Sequence, residues 1–492
     1  MLNQLLSSIE FCNDYNYDPP FSPSERYPEY HFDEYSESPN FVYCAVRNNL
    51  INLELDAKNF GSTNWNPFGE FDLIGKKIVI KPNWVMHEHP SGENIWSVIT
   101  HPSIIRVILD YIFIATRGNC KVTIGDAPLQ SADFDKILEL SKINELISYF
   151  HKKGLDITVE DFRLEKAIRD RKKHIIKTVT LSENPNKYIA INLFDRSLHT
   201  AIDSNYKKYR VTCYDKRKML RHHKLGYHEY LISNTVIKSD FFINLPKMKT
   251  HHKAGVSLSL KNLIGINCSK DWLPHHMRGV KSKLSDEYEK FYLFQSLGVY
   301  FNELGYMNKN ILLRKLLILI GKVFTKIHKE IRKILQQSYY SEGSWYGNDT
   351  IWRTCLDINK ILFYSDKKGH LNNKKSARKY LTIIDGIIGG EKESPLMTTP
   401  ISSGVTIAAF NPAVSDFVAT KVMGIDPYKV PIVKNSYIKD LLPIFDKSPE
   451  EIIVKSSKEI YNVNASSIKI IKQFEPSSGW KKHIEIKDDN KC

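Results

Sequence analysis

The stretch ITHPSIIRVILDYIFIATRGNCKVTIGDAP, Ile99–Pro128, decides the class of fold. Its first part, SIIRVILDYIF, spaces its apolar residues as one face of a helix and starts near a Ser103 cap. Its second part, CKVTIGDAP, is an apolar strand that ends in turn residues. Just upstream, KKIVIKPN (Lys76–Asn83) is another strand, an apolar core run flanked by charge. Strand, helix and strand in that order form a βαβ unit, and the sheet it belongs to is therefore parallel.

Further strands are expected at DITVED (Asp156–Asp161), DFFINLPK (Asp240–Lys247), YLTIIDGI (Tyr380–Ile387) and GVTIAAFNP (Gly404–Pro412), with a first one at FVYCAVR (Phe41–Arg47). Residues 1–40, with DPPFSPSERYPEY, read as an irregular surface extension. A chain of 492 residues exceeds the size of one hydrophobic core. The expected architecture is α/β, mostly parallel sheets flanked by helices, in two α/β lobes with a helical insertion. The boundaries fall at 41–283 for the first α/β region, 284–375 for the insertion and 376–492 for the second α/β region.

Four strands run into polar tips: KPN at Lys81–Asn83, GDAP at Gly125–Pro128, NLPKMKTH at Asn244–His251 and DGIIGGE at Asp385–Glu391. Ligands of open parallel sheets bind outside the carboxyl ends of the strands, so these tips are expected to line one pocket. Any single tip is also explained by ordinary turn chemistry. The third tip opens the densest segment of the chain, FINLPKMKTHHKAGVSLSLKN (Phe242–Asn262), which a purely packing strand would not need. In GVSLSLKN, alternating apolar residues deliver Lys261 to the end of a buried run, where desolvation lowers a lysine's pKa and makes it a better nucleophile or base. A basic surface loop is the competing reading.

Residue type then suggests roles. Lys81, Lys249 and Lys261 supply positive charge for a phosphate or carboxylate, and Asn83 and Asn262 can hydrogen-bond sugar or amide groups. His251 is the first choice for general acid or base. Asp126, Asp385, Glu391 and Asp416 are candidates for orienting a basic group or holding a divalent cation, although Asp416 reads better as the cap of a helix that begins near Phe417 and stops at a glycine.

The 70 Lys and Arg against 55 Asp and Glu give +15, which favours anionic partners. No zinc-finger spacing, RNP-like motif or arginine-rich tail is present, so an anionic small molecule fits better than nucleic acid. Seven cysteines are scattered without a CxxC or four-cysteine run, so no iron-sulfur cluster is expected and the compartment is a reducing one. The first residues, MLNQLLSSIEFCNDYNYDPP, lack the basic and apolar regions of a signal peptide, which places the chain in the cytoplasm. Within the insertion, ILLRKLLILIGKVFTKIHKEIRKILQ is amphipathic and strongly basic. Two readings stay open: residues 309–336 lie on an anionic membrane, at the inner face, or they pack on the chain's own core.

KPN, THP (Thr100–Pro102), GDAP and LPKMKTHHKAGVSLSLKNLIG (Leu245–Gly265) together resemble the bacterial and archaeal domain-of-unknown-function family numbered 362. IIDGIIGGEKESP (Ile383–Pro395) and FNPAVSDFVATKVMG (Phe410–Gly424) continue the likeness, which runs from about residue 75 to 430. It adds His101 of the THP motif to the substrate-binding candidates Lys81, Asn83, Asp126, Asn244 and Asn262. Some relatives carry a ferredoxin-type insertion with four-cysteine runs that this chain lacks. The segment GSWYGNDTIWRTCLDINKILFYSD (Gly343–Asp366) looks like a subgroup from capsule and lipopolysaccharide gene clusters. This resemblance implies a setting in surface-polysaccharide biosynthesis, where the chain would act as an enzyme on a sugar- or nucleotide-linked anion or as a non-catalytic membrane-associated scaffold. A looser likeness concerns mechanism. His251, Gly255 and Lys261, with His275 or His276, are similar in order to the pocket of nickel-pincer lactate racemase-like enzymes, where a lysine anchors the cofactor and histidines serve metal and substrate. SLSL (Ser257–Leu260) stands where those enzymes have a glycine-rich run. A metal set of Asp385, Glu391 and His276 follows as an expectation.

Overall fold

A computed structural model describes residues 2–169, 175–212 and 214–487, so Cys213 and Cys492 lie outside the described residues. An 11-stranded, mostly parallel sheet forms the centre. Its strands are β1 (Leu6–Phe11), β2 (Lys77–Pro82), β3 (Lys121–Asp126), β4 (Asp156–Asp161), β5 (Phe241–Leu245), β6 (Lys247–His251), β7 (Gly255–Ser257), β8 (Lys379–Glu391), β9 (Thr399–Ala409), β10 (Ile453–Lys455) and β11 (Val463–Asn464). The path runs β11-β10-β1-β9-β8-β5-β2-β3-β4, with β6 paired to β8 and β7 to β6. Helices used below are α1 (Phe41–Asn52), α2 (Pro102–Thr116), α3 (Ser259–Asn262), α4 (Leu293–Met307), α5 (Ile311–Ile334), α6 (Ile351–Tyr364) and α7 (Pro412–Val422).

The parallel half is the expected βαβ unit. β2 pairs in parallel with β3 and β5, and β5 in parallel with β8. Successive side chains on a strand point to opposite faces, and the cores obey this. Ile78, Ile80, Ile243 and Leu245 join the cluster built on α1 and α2, while Val79 and Phe242 join a second cluster with α6. Both faces being covered explains why these strands read as continuous apolar runs.

Three expectations change. Phe41–Arg47 is not a strand but the start of α1. Asn40 accepts a hydrogen bond from the Tyr43 N–H as its N-cap, and Val42, Tyr43, Ala45, Val46, Asn49 and Leu50 are buried at helical spacing. The aromatic and β-branched composition of FVYCAVR suits a strand locally, and packing overrides it. Helix α2 starts one residue before Ser103, because His101 is the N-cap and Pro102 occupies the first turn. Residues 2–40, within the segment expected to be an irregular surface extension, include a strand of the central sheet. β1 sits inside the sheet, antiparallel to β9 and parallel to β10, with Leu6 and Ile9 buried.

The single sheet also draws β1 to β7 from one side of the insertion and β8 to β11 from the other, so the two α/β regions share one sheet. The insertion contributes the helical hairpin α4–α5. Ile9→Ala tests the placement of β1. A fully buried isoleucine truncated to alanine costs about 2–5 kcal/mol, so the urea midpoint should fall clearly, whereas an extension lying on the surface would leave it unchanged.

Candidate functional site

The carboxyl ends of β2, β3 and β5 meet the strand β6 and the short helix α3, and their polar residues form one hydrogen-bonded set. Lys81 Nζ lies 2.8 Å from Asp126 Oδ1 and donates to Asn262 Oδ1 at 3.1 Å. Asn83 Nδ2 donates to the same Asn262 oxygen at 2.8 Å, and Asn262 Nδ2 donates to Asn244 Oδ1 at 2.7 Å. Asn83 Oδ1 in turn accepts from Lys249 Nζ at 3.1 Å, whose second acceptor is the Val98 carbonyl at 2.7 Å. Five of the sequence-derived candidates, together with Lys249, are thus directly linked. Gly265 makes the closeness possible: a Cβ there would lie 2.0 Å from Asp126 Oδ1 and 2.6 Å from Lys81 Nζ.

A second buried pair lies beside the first. Lys247 Nζ is 2.8 Å from Asp385 Oδ1 and donates to the Tyr15 hydroxyl at 2.6 Å. The other Asp385 oxygen accepts the backbone N–H of His101 at 3.0 Å, and the His101 ring stacks on Tyr15 at 4.1 Å between centroids. His101 Nδ1 accepts from the Ser103 N–H. His101 is therefore a capping and packing residue against the Lys247–Asp385 pair.

Helix α3 carries Lys261 and Asn262. Its first N–H groups, those of Ser259 and Leu260, donate to the two oxygens of Asp416 at 2.7 and 2.9 Å. Asp416 therefore caps α3 rather than its own helix: α7 starts at Pro412 with Asn411 as N-cap, and the expected glycine stop is Gly424. Burial pushes the Asp416 carboxyl up to about 7. Asp416 thus fixes the helix that aims Lys261. Among the described residues Lys261 Nζ has no hydrogen bond or ion pair, and burial lowers its pKa. Burial also pushes Lys249 well below the ordinary lysine value, helped by the charges of Lys247 and Lys261.

The histidines divide their work by tautomer. His251 Nδ1 accepts from the backbone N–H of Lys253 at 3.0 Å and of Ala254 at 3.2 Å, so its proton sits on Nε2 and the ring presents a donor. His275 is the opposite. Its Nδ1 lies 2.7 Å from the Leu273 carbonyl, which can only accept, so Nε2 keeps a lone pair. Burial first, with the Lys261 charge contributing, holds both rings well below the ordinary histidine pKa and neutral. Of the two roles expected for His251, acid or base, its occupied Nδ1 leaves the donor one, whereas His275 presents an acceptor at Nε2.

Lys270 was not among the sequence candidates. It is buried, sits within the field of Asp126, Lys81 and Lys261, and burial lowers it to about 7. Its setting in NCSKDW carries no periodic or motif signal that marks it.

Asp385, Glu391 and His276 do not form a common metal set. Asp385 and Glu391 are six residues apart on β8, roughly 20 Å along a strand. Asp385 is taken by Lys247, and Glu391 accepts the Glu475 N–H at 2.8 Å. His276 faces Glu287 at 3.9 Å. Among the described residues no group of three or more His, Cys, Asp or Glu is arranged to hold a metal ion.

A buried cluster of lysines, asparagines and histidines at the carboxyl edge of a large, mostly parallel α/β sheet is the class of site the fold defines, while the cavity lined by Lys76, Asp240, Lys367 and Arg378 lies at the opposite edge of the same strands. The chain belongs to the family described as Domain of unknown function (DUF362), whose profile matches residues 78–194 and 178–421. No curated protein matches it. Among solved structures, it is similar to a Thermotoga maritima protein from a structural genomics effort, at 10% identity and a TM-score of 0.28, over 68% of this chain and about half (51%) of the other.

Two predictions follow from this geometry. Gly265→Ala should separate Lys81 from Asp126 and lower thermal stability by several degrees. Lys270 has a folded-state pKa depressed from 10.5 to about 7. The unfolded chain binds the extra proton between those values, so stability should rise as pH goes from about 7 to 10.5 and be lost again on the way down. Lys270→Met should flatten that slope in urea melts.

Proposed function

We propose that this buried lysine–histidine cluster binds an anionic group and that the chain is an enzyme acting on an anionic sugar- or nucleotide-linked substrate. One observation carries the reading. Lys81 is paired with Asp126, but among the described residues Lys249 has only neutral acceptors, Lys261 has no partner and Lys270 reaches only the Ile264 carbonyl, at 3.4 Å. Burying ammonium groups without counter-charge is costly, and a bound phosphate or carboxylate would offset that cost.

The roles follow from the geometry. Lys249, Lys261 and Lys270 take the anion, and His251 donates from Nε2. His275 Nε2 accepts a proton from the substrate, and the nearby ammonium groups stabilise the negative charge left behind. Lys81, Asn83 and Asn262 hold the frame. The proposed setting is cytoplasmic, in bacterial surface-polysaccharide biosynthesis, and it rests on the resemblance of Gly343–Asp366 to the capsule and lipopolysaccharide subgroup. That segment borders the histidines: Asn348 Nδ2 donates to the His275 carbonyl at 2.9 Å, and a Cβ on Gly343 would lie 2.8 Å from His276 Cβ.

Binding an anion raises the pKa of the neighbouring lysines, so complex formation takes up protons and affinity falls as pH rises from about 7. Titration calorimetry with UDP-glucose and with pyrophosphate, in two buffers of different ionisation enthalpy, should show that uptake. Lys261→Met should weaken binding at least tenfold with an unchanged melting temperature. In a host deleted for the gene, Lys261→Met, His251→Ala and His275→Asn should fail to restore the polymer, and wild-type polymer from all three would overturn the proposal. The unpartnered Lys261 also suits a covalently anchored cofactor, the racemase-like reading. Denaturing mass spectrometry decides for that reading if a mass surplus maps to Lys261.

A further inference from the structure

The hairpin α4–α5 leaves its apolar face uncovered. The two helices approach each other through glycines rather than leucines. A Cβ on Gly298 would lie 2.7 Å from Thr325 Oγ1, one on Gly305 2.7 Å from Ile318 Cγ1, and one on Gly321 2.8 Å from the Gly298 carbonyl. Close packing on that side turns the larger residues of α5 outward. Leu312 is 79% exposed, Leu319 59% and Ile334 79%, with Leu316, Val323 and Ile327 also exposed. The sequence left open whether this stripe packs on the chain's own core; among the described residues none covers it.

Charge surrounds the stripe on one side. At about 100° per residue, those six apolar residues fall within an arc of about 80° on the helix, and Lys315, Lys322, Lys326, Lys329 and Lys333 fall within about 60° beside it. From Ile311 to Ile334 there are seven Lys and Arg against one Glu, Glu330. A second copy of the same hairpin would set seven positive groups against seven, whereas an anionic lipid surface complements both the stripe and the lysine row. No described helix is long and apolar enough to cross a membrane.

We infer that α5 lies in the surface of an anionic bilayer, its leucine stripe in the headgroup–acyl boundary and its lysine row on the lipid phosphates. The hairpin returns to the wall of the cluster, since the Gly343 N–H donates to the Glu287 carbonyl at 2.8 Å and Lys253 Nζ donates to the Glu342 carbonyl. Docking of α5 would therefore hold the His275–His276 wall near the bilayer. This inference does not depend on the cluster's chemistry.

The test is flotation of the full chain with vesicles of phosphatidylcholine alone and with 30% (about one lipid in three) phosphatidylglycerol. The full chain should float with the anionic vesicles only and be released by high salt. Leu316→Ser/Leu319→Ser/Val323→Ser, at exposed positions, and Lys322→Glu/Lys326→Glu/Lys329→Glu should each reduce the floated fraction at least fivefold with an unchanged melting temperature. Failure of the wild-type chain to float with anionic vesicles overturns the inference. So does a dimer in sedimentation analysis that the serine variant dissolves, because the stripe would then be an interface between copies. Neither result bears on UDP-glucose binding in the cluster.

Discussion

A buried ammonium group needs a fixed acceptor, and the carboxyl edge of this sheet is organised around that requirement. Lys81 and Lys247 each meet a carboxylate, Asp126 and Asp385, and each carboxylate comes from a different strand. Those two pairs tie β2 to β3 and β6 to β8 at the level of the cluster. The asparagines extend the same logic without adding charge. Asn83 and Asn262 relay the oxygens that Lys81 and Lys249 need, and Asn244 closes the set against the Tyr380 hydroxyl. A hydrogen-bonded frame of this kind is worth keeping only when every member is satisfied. Lys249 is held in the frame by neutral acceptors alone, and Lys261 and Lys270 lie outside it.

The two histidines show how backbone decides side-chain chemistry. His251 and His275 have the same intrinsic acidity, and burial keeps both neutral. One is read by two backbone N–H groups and the other by a carbonyl, so one becomes a donor and the other an acceptor. A ligand held between them would meet opposite hydrogen-bonding partners from the same residue type.

Much of the parallel half was legible because strands buried on both faces and an amphipathic helix leave strong, local patterns. KKIVIKPN, CKVTIGDAP and DITVED became β2, β3 and β4. The convergence of strand tips was legible for the same reason, since parallel topology puts all carboxyl ends on one edge. What failed was non-local. Nothing within LSSIEF announces that Leu6–Phe11 pairs with residues about 400 positions away, and FVYCAVR looks like a strand until the window reaches Asn52. Lys270 and the choice of His275 over His276 depend on a loop path that adjacent residues cannot encode. Asp416 was recognised as a cap, but of the wrong helix, because a cap in sequence is local and this one acts across the fold.

The position of β1 has a kinetic consequence. Its hydrogen-bonding partners are β9 on one side and β10 on the other, so its place in the sheet does not exist until residues 399–409 and 453–455 have been made. At about 5–20 residues per second, a ribosome needs roughly 20–80 s to extend the chain from β1 to β9. During that interval Leu6 and Ile9 have no strand to pair with, and Tyr15 has no Asp385 to meet. The Tyr15–Lys247–Asp385 contact therefore forms only after most of the chain has been made.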